Sequence, residues 1–403
     1  MSYSEKEVMQ YCAEEDVKFI RLAFCDVFGV QKNISVMPSQ LPKVFKHGIA
    51  IDASAIDGFG QEGRSDLFLY PDPSTLTVLP WRPEHGRVVR MFCRICNPDK
   101  TTFINDTRSI LVKAVADAKE AGYNFNFGSE LEFYLFKLDE KGNRTYIPHD
   151  DAGYMDIAPD DRGENVRREI CLTLEQMEIV PEGSHHEEGP GQNEIDFEYS
   201  DPLTAADRAI TFKSVVKTIA ARNGLYADFS PKPLTDQPGS GFHVNISVGD
   251  GKNGELMPYL ISGILDKIRE ISLFLNPSEN SYERLGSFKA PKYVSWSIEN
   301  RSQLIRIPAA VENFKRLELR SPDPTSNPYI GFALLIYACI EGLDGHLPLP
   351  EPADINFYTA SEEILSRFKS LPLSLEEAKK TAAASDFVNK HLPSSLIDAY
   401  LNK

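Results

Sequence analysis

The hydrophobic pattern of the chain changes period several times, and each change marks an element. From Ser4 to Glu15 the apolar spacing predicts a short helix. Val17–Asp26 and Gly29–Val36 read as two strands. The stretch between Val36 and Thr75, rich in Asp, Gly and Pro, reads as a loop. Thr75–Leu79 and Arg87–Cys96 read as two further strands, followed by the turn cluster Asn97-Pro98-Asp99-Lys100. Thr107–Ala121 has the spacing of an amphipathic helix stopped by Gly122. A domain boundary is therefore expected between Asn97 and Asp106, separating residues 1–100 from residues 101–403. The second part alternates strands and helices as an α+β domain, and from Ala360 onward the pattern is helical and amphipathic.

Four strands of the second part carry ionic or polar groups at period two. Phe125–Phe136 places Glu130 and Glu132 on one face and Leu131, Phe133 and Leu135 on the other. Gln192–Tyr199 sets Glu194, Asp196 and Glu198 against Ile195 and Phe197. Phe242–Val248 alternates His243, Asn245 and Ser247 with Val244 and Ile246. Phe314–Leu319 offers Arg316 and Glu318, and Arg320 continues that face. Any one such face is the solvated side of an antiparallel sheet by default. Four in one domain invite a different reading, and the run Ser184-His185-His186-Glu187-Glu188 adds more ligand-type groups. Carboxylates converging on one cavity cannot all stay ionised without cations. Oxygen ligands with an occasional imidazole suit Mg²⁺ or Mn²⁺. Arginines on the same faces suit carboxylate or phosphate capture. Metal, arginine and carboxylate together point to phosphoryl chemistry on a nucleotide.

Composition narrows the field from the other side. The chain has 403 residues with 59 acidic and 43 basic side chains, a formal charge of −16, which argues against nucleic acid as a partner. The longest apolar run, Ile330–Ile340, is too short to span a membrane. An acidic N-terminus and six scattered cysteines fit a reduced, cytoplasmic setting. Two motifs fail on context. Gly58-Phe59-Gly60-Gln61-Glu62-Gly63 matches a dinucleotide fingerprint, but the run Arg64-Ser65-Asp66-Leu67 after it is no helix start. Cys93 and Cys96 lie three apart on a strand, facing opposite sides, and read as small apolar fillers.

The ordered runs resemble the type I glutamine synthetases over nearly the whole chain. They include Ile51-Asp52-Ala53-Ser54, Gly128-Ser129-Glu130-Leu131-Glu132, His185-His186-Glu187, Gly191-Gln192-Asn193-Glu194, Gly239-Ser240-Gly241-Phe242-His243, Asn300-Arg301-Ser302 and Arg316-Leu317-Glu318-Leu319-Arg320. The resemblance implies an N-terminal β-grasp domain and a catalytic domain with a funnel of antiparallel strands. It implies ATP-dependent ligation of ammonia to glutamate through γ-glutamyl phosphate, in a double-hexameric dodecamer with sites shared between subunits. One metal would be held by Glu132, Glu187 and Glu194, the other by Glu130, His243 and Glu318. Glu182, Asn245, Ser247 and Arg316 match ATP contacts, and Arg301 a catalytic arginine of the phosphate region. Arg284, Arg306, Arg320 and Gly239 match the glutamate and phosphoryl positions. Asp52 matches the aspartate that binds and deprotonates ammonium, and Tyr154 an aromatic residue of the ammonium pocket.

The chain departs from that family on the amine side. The flap Arg284-Leu285-Gly286-Ser287-Phe288-Lys289-Ala290-Pro291 is one residue short and carries Lys289 where a glutamate is expected. A lysine ammonium about 4 Å from a substrate ammonium repels it by roughly 4 kcal/mol at an effective dielectric near 20. A neutral Lys289 acting as base, or a nearby acid such as Glu283 or Glu299, is the alternative. Ala55, Ala53 and Pro238 replace a serine, a glycine and an asparagine of the substrate pockets. These changes keep two alternatives in view, a γ-glutamyl ligase for another amine and a catalytically silent assembly. Tyr358 aligns near a tyrosine that some members adenylylate, and reads here as an ordinary surface tyrosine.

Overall fold

In the computed structural model, residues 3–60, 65–82, 85–249, 253–309 and 316–403 are described. Ser4 opens the first helix, Glu5–Glu14, through a capping box in which its hydroxyl accepts from the Glu7 amide and the Glu7 carboxylate accepts from the Ser4 amide. The N-terminal sheet has six strands. Gln31–Val36, Val17–Cys25, Arg87–Cys96, Asp66–Pro71 and Ile49–Asp52 lie side by side across it, and Thr77–Val78 pairs with Arg87–Cys96. Val17–Cys25 and Arg87–Cys96 run parallel, and the other pairs are antiparallel. The stretch read as a loop thus holds two strands and the helix Leu41–His47. Their shortness hid them, since four to seven residues among Gly and Pro give too little periodicity to see. The strand Asp66–Pro71 also confirms that the glycine motif does not lead into a helix; residues 61–63 of that motif lie outside the described residues. Cys93 and Cys96 are both buried and free, as fillers.

The larger sheet has nine strands, in the order Trp296–Ile298, Ile305–Ile307, Leu317–Leu319, Phe242–Val248, Phe125–Leu138, Gln192–Ser200 and Pro181–His186. Leu225–Asp228 and Arg144–Pro148 add to the long strand Phe125–Leu138. The polar runs expected from period two are strands here, except that residues 314 and 315 lie outside the described residues and the last strand begins at Leu317. One face of this sheet is apolar and lies against helices, with Phe127, Phe133, Phe197 and Phe242 packing on Phe212 and Phe332. Helix Pro328–Asp344, which contains the longest apolar run, is buried almost throughout, and no described helix could cross a membrane. It crosses helix Asn253–Leu275 so closely that a Cβ on Gly342 would stand 2.2 Å from the Tyr259 carbonyl oxygen.

The two parts are stitched together by polar contacts. The Val27 carbonyl accepts from Asn327 at 3.1 Å and from the Tyr400 hydroxyl at 3.0 Å. Arg108 bridges Asp72, just after the strand Asp66–Pro71 of the first sheet, and Asp207 of helix Pro202–Arg222. The C-terminal stretch is helical as expected, in four short helices from Glu362 to Leu401.

Candidate active site

The apolar face of the larger sheet is covered by helices, so its polar face is left for chemistry, and strand register decides which side chains meet there. Glu194 lies opposite both Glu132 and His185. Asp196 lies opposite Glu130, which lies opposite His243 on its other side. Asn245 and Arg306 flank Glu318 in the same way. Three rows of ionic groups therefore cross the sheet side by side. They open on a cavity of about 570 Å³, lined also by Tyr154, Glu187, Glu188, Gly239, Lys289, Arg301, Arg306, Arg316 and Arg320.

Within the cavity the acids have different partners. His243 Nδ1 is 3.2 Å from Glu130 and 3.8 Å from Glu318. Asn245 donates to Glu130 at 2.7 Å and accepts from Arg316 at 2.7 Å. Glu132 accepts from the Gly241 amide at 2.8 Å and from Gln192 at 3.1 Å. Glu318 is gripped by Arg306 at 2.6 Å and by Arg320 at 2.9 Å, one on each oxygen. Gly241 has to be glycine, because a Cβ there would stand 2.7 Å from His243 Nε2.

The electrostatics divide along the same lines. Glu130 is held down to about 2, although burial opposes this, because His243 and Asn245 hydrogen-bond its ionised form. Burial and neighbouring carboxylates push Glu187 up to about 7 and Asp196 up to about 8, and raise Glu194 as well. These acids are short of positive charge. Two groups could each converge on a cation, Glu130, Glu194 and His243 in one and His185, Glu187 and Glu194 in the other. A donor set of carboxylate and imidazole fits a divalent ion of the Mg²⁺ or Mn²⁺ type.

Residues 16–98 match the family model for the glutamine synthetase β-grasp domain, and residues 104–403 match the one for the glutamine synthetase catalytic domain. The chain belongs to the glutamine synthetase family. Glutamine synthetases of Clostridium saccharobutylicum and Methanosarcina mazei are 42% and 44% identical to it over 99% of this chain, covering 94% and 92% of their own lengths. A solved GmaS/ADP complex superposes with a TM-score of 0.87 at 27% identity, covering 98% of this chain and 94% of the other. Plasmodium falciparum glutamine synthetase, at 22% identity and a TM-score of 0.86, shares the fold. ATP dependence and divalent metals are general in this family, and the acidic clusters could hold such ions.

The structure brings most of the residues singled out in the sequence to this glutamine synthetase cavity, and leaves some away from it. Glu130, Glu132, Glu187, Glu194, His243, Arg301, Arg306, Arg316, Arg320, Tyr154, Gly239 and Lys289 all line it, and Asn245 and Glu318 reach it through their contacts with Glu130, Arg306 and Arg320. Glu182 is exposed and Ser247 half-buried at the margin of the same face. Arg284 is buried behind the wall, donating to the Ser321 carbonyl at 2.8 Å and the Arg320 carbonyl at 3.2 Å. Asp52 does not line its own chain's cavity; it ends a strand and accepts from the Ser54 amide at 3.0 Å. Pro238 keeps a role through its carbonyl, which accepts from Tyr134 at 2.6 Å.

The resemblance did not assign His185, Glu188 and Asp196, which also line the cavity. Asp196 carried a signal, since it shares the period-two face of Glu194. Glu198 shares that pattern but is exposed, because the pairing with Phe125–Leu138 shifts register after Phe197. A further network holds the His186–Gln192 loop. Asp150 accepts from His186 at 2.9 Å and from the Gly191 amide at 2.9 Å, while His186 Nδ1 meets the Glu187 carbonyl at 2.6 Å.

Proposed function

We infer that this chain, a glutamate–ammonia ligase of the glutamine synthetase family, makes glutamine in two steps within the cavity just described. ATP phosphorylates the glutamate γ-carboxylate. Ammonia then attacks the γ-glutamyl phosphate, forming the amide and expelling phosphate. The observation that carries this reading is one cavity combining Glu130, Glu132, Glu187, Glu194 and His243 with Arg301, Arg306 and Arg320. Glu132, Glu187 and Glu194 would hold one Mg²⁺ or Mn²⁺, and Glu130, His243 and Glu318 a second. Glu194 belongs to both candidate groups, and this favours sharing between the two sets. Such ions supply charge compensation for the transferred phosphoryl group.

Arg301, Arg306 and Arg320 stand where they can orient the γ-carboxylate and the moving phosphoryl oxygens, with Gly239 forming the glutamate floor and Arg284 bracing it. Glu182, Asn245, Ser247 and Arg316 line the approach assigned to ATP. Nucleophilic attack needs neutral ammonia, so a carboxylate must take a proton from ammonium. Asp52 is given that role from a neighbouring subunit, beside Tyr154. Its distance from its own cavity supports sharing between subunits, which makes a closed homo-oligomer, a dodecamer by the resemblance, obligatory for activity. We set the domain boundary at residues 100 and 101, inside the gap between the two family matches. Six free cysteines and the lack of any membrane-crossing helix among the described residues support a cytoplasmic enzyme.

The test is phosphate release from ATP with Mg²⁺ and glutamate, with and without ammonium, alongside assay of glutamine. Ammonium-dependent release with glutamine formed in equal amount is expected. Release that ammonium fails to stimulate would refute the reading, and a panel of other amines would then identify the acceptor.

A further inference from the structure

The flap lysine points into the cavity, and its surroundings are those of an ammonium site. Lys289 Nζ lies 2.5 Å from the Glu188 carboxylate and 5.4 Å from the centre of the Tyr154 ring. A carboxylate and an aromatic face are what recognise a small ammonium ion, by a charge-assisted hydrogen bond and by attraction to the ring quadrupole. Tyr154 is itself seated edge-on against His185, at 5.4 Å between ring centres, so the aromatic wall is anchored to the strand Pro181–His186.

The lysine is delivered there by its backbone. The flap between Arg284 and Pro291 folds into a hydrogen-bonded turn, with Gly286 and Ala290 joined at 3.2 Å and Ser287 bonded back to Arg284 at 3.1 Å. Gly286 and Phe288 take positive φ values of 83° and 50° to close it. Arg320 donates to the Lys289 carbonyl at 3.0 Å, and Lys232 lies over the Phe288 ring at 4.4 Å. With the main chain held on one side, the side chain spans the cavity mouth to Glu188 on the other.

We propose that the Lys289 side chain is a tethered ammonium that occupies the amine seat between Glu188 and Tyr154, so that substrate ammonium must displace it. The lysine is thereby the residue that sets amine affinity. A tethered group competes at an effective concentration in the millimolar range, so it raises the ammonium concentration needed for half-maximal rate. Glutamate and nucleotide bind elsewhere in the cavity and are not in competition with it. This inference rests on the reading of Tyr154 as part of the amine pocket.

The experiment is steady-state kinetics on the assembled enzyme, with ammonium and glutamate varied separately. Lys289→Met removes the charge and keeps the length of the stem. It is expected to lower KM for ammonium by roughly tenfold while KM for glutamate moves less than about twofold. Lys289→Arg keeps a cation in the seat and is expected to retain the high KM for ammonium. An unchanged KM for ammonium in Lys289→Met overturns the proposal, and so does a change equal in the methionine and arginine variants. A second substitution separates this from the pocket assignment. Adding Tyr154→Ala to Lys289→Met is expected to raise KM for ammonium again. If it does not, the aromatic pocket is not the amine seat, and the underlying reading fails rather than the lysine's role within it.

Discussion

Glu194 stands where the two candidate cation groups meet, with His185 3.4 Å away on one side and Glu130 and His243 on the other. Glu194→Gln removes the charge both groups depend on at almost constant volume. Mg²⁺ affinity, read by calorimetry, is expected to fall by more than the roughly 10–100-fold seen when only a ligand's supporting partner is lost. The raised acids make a second prediction at this scale. Glu187 and Asp196 hold their protons to about 7 and about 8 in the folded, metal-free chain and release them at ordinary carboxylate values when unfolded. The folded state then binds more protons than the unfolded state between about pH 4 and 8. Stability of the metal-free protein should fall as pH rises through that window and level off above it, with added Mg²⁺ abolishing the slope. Thermal unfolding across pH with and without the ion measures both. Glu194 and Asp196 were visible on one face of a period-two strand, and Glu187 in the ligand-rich run before it. Their shared cavity was not, because alternation alone does not distinguish a solvated face from a buried one.

At the scale of elements, the His186–Gln192 loop is tied at both ends by one carboxylate. Asp150→Ala leaves His186 and the Gly191 amide without their acceptor, which costs about 1–3 kcal/mol of stability for the unsatisfied groups. The expected result is a lower midpoint in urea together with a higher KM for Mg²⁺, because Glu187 sits between the two tied ends. The helix crossing offers a cleaner packing test. Gly342→Ala places a methyl against the Tyr259 carbonyl and is expected to destabilise by at least about 1–3 kcal/mol. Gly254 has open space where its Cβ would be, so Gly254→Ala is the matched control and should not destabilise. The long elements Thr107–Glu120 and Phe125–Leu138 were legible along the chain because many residues repeat one period. The short pieces Leu41–His47, Ile49–Asp52 and Asp66–Pro71 were not, since tertiary pairing rather than local propensity holds such fragments in place.

At the scale of the whole molecule, the separation of Asp52 from its own cavity predicts complementation. Chains carrying Asp52→Ala and chains carrying Glu130→Gln should each assemble into inactive oligomers. Co-assembled in equal amounts by random mixing, about a quarter of the sites would receive Glu130 from one chain and Asp52 from its neighbour. Activity regained on co-expression, and none on mixing preassembled oligomers, is the expected outcome. No recovery in the mixed assembly would mean that Asp52 serves its own chain. By itself the sequence determined the two-part organisation, the strands that bear acids and the family, because periodicity, turn residues and ordered motifs are local properties of a chain. Tertiary structure alone decided which of those acids stand close enough to converge on one cation. It placed Glu130 beside His243 across 113 residues, and it set Lys289 on Glu188 from opposite walls of the cavity. Burial of the apolar face fixes which side chains each strand presents to the cavity, but the partners they meet come from strands far apart in the chain, which no local pattern names.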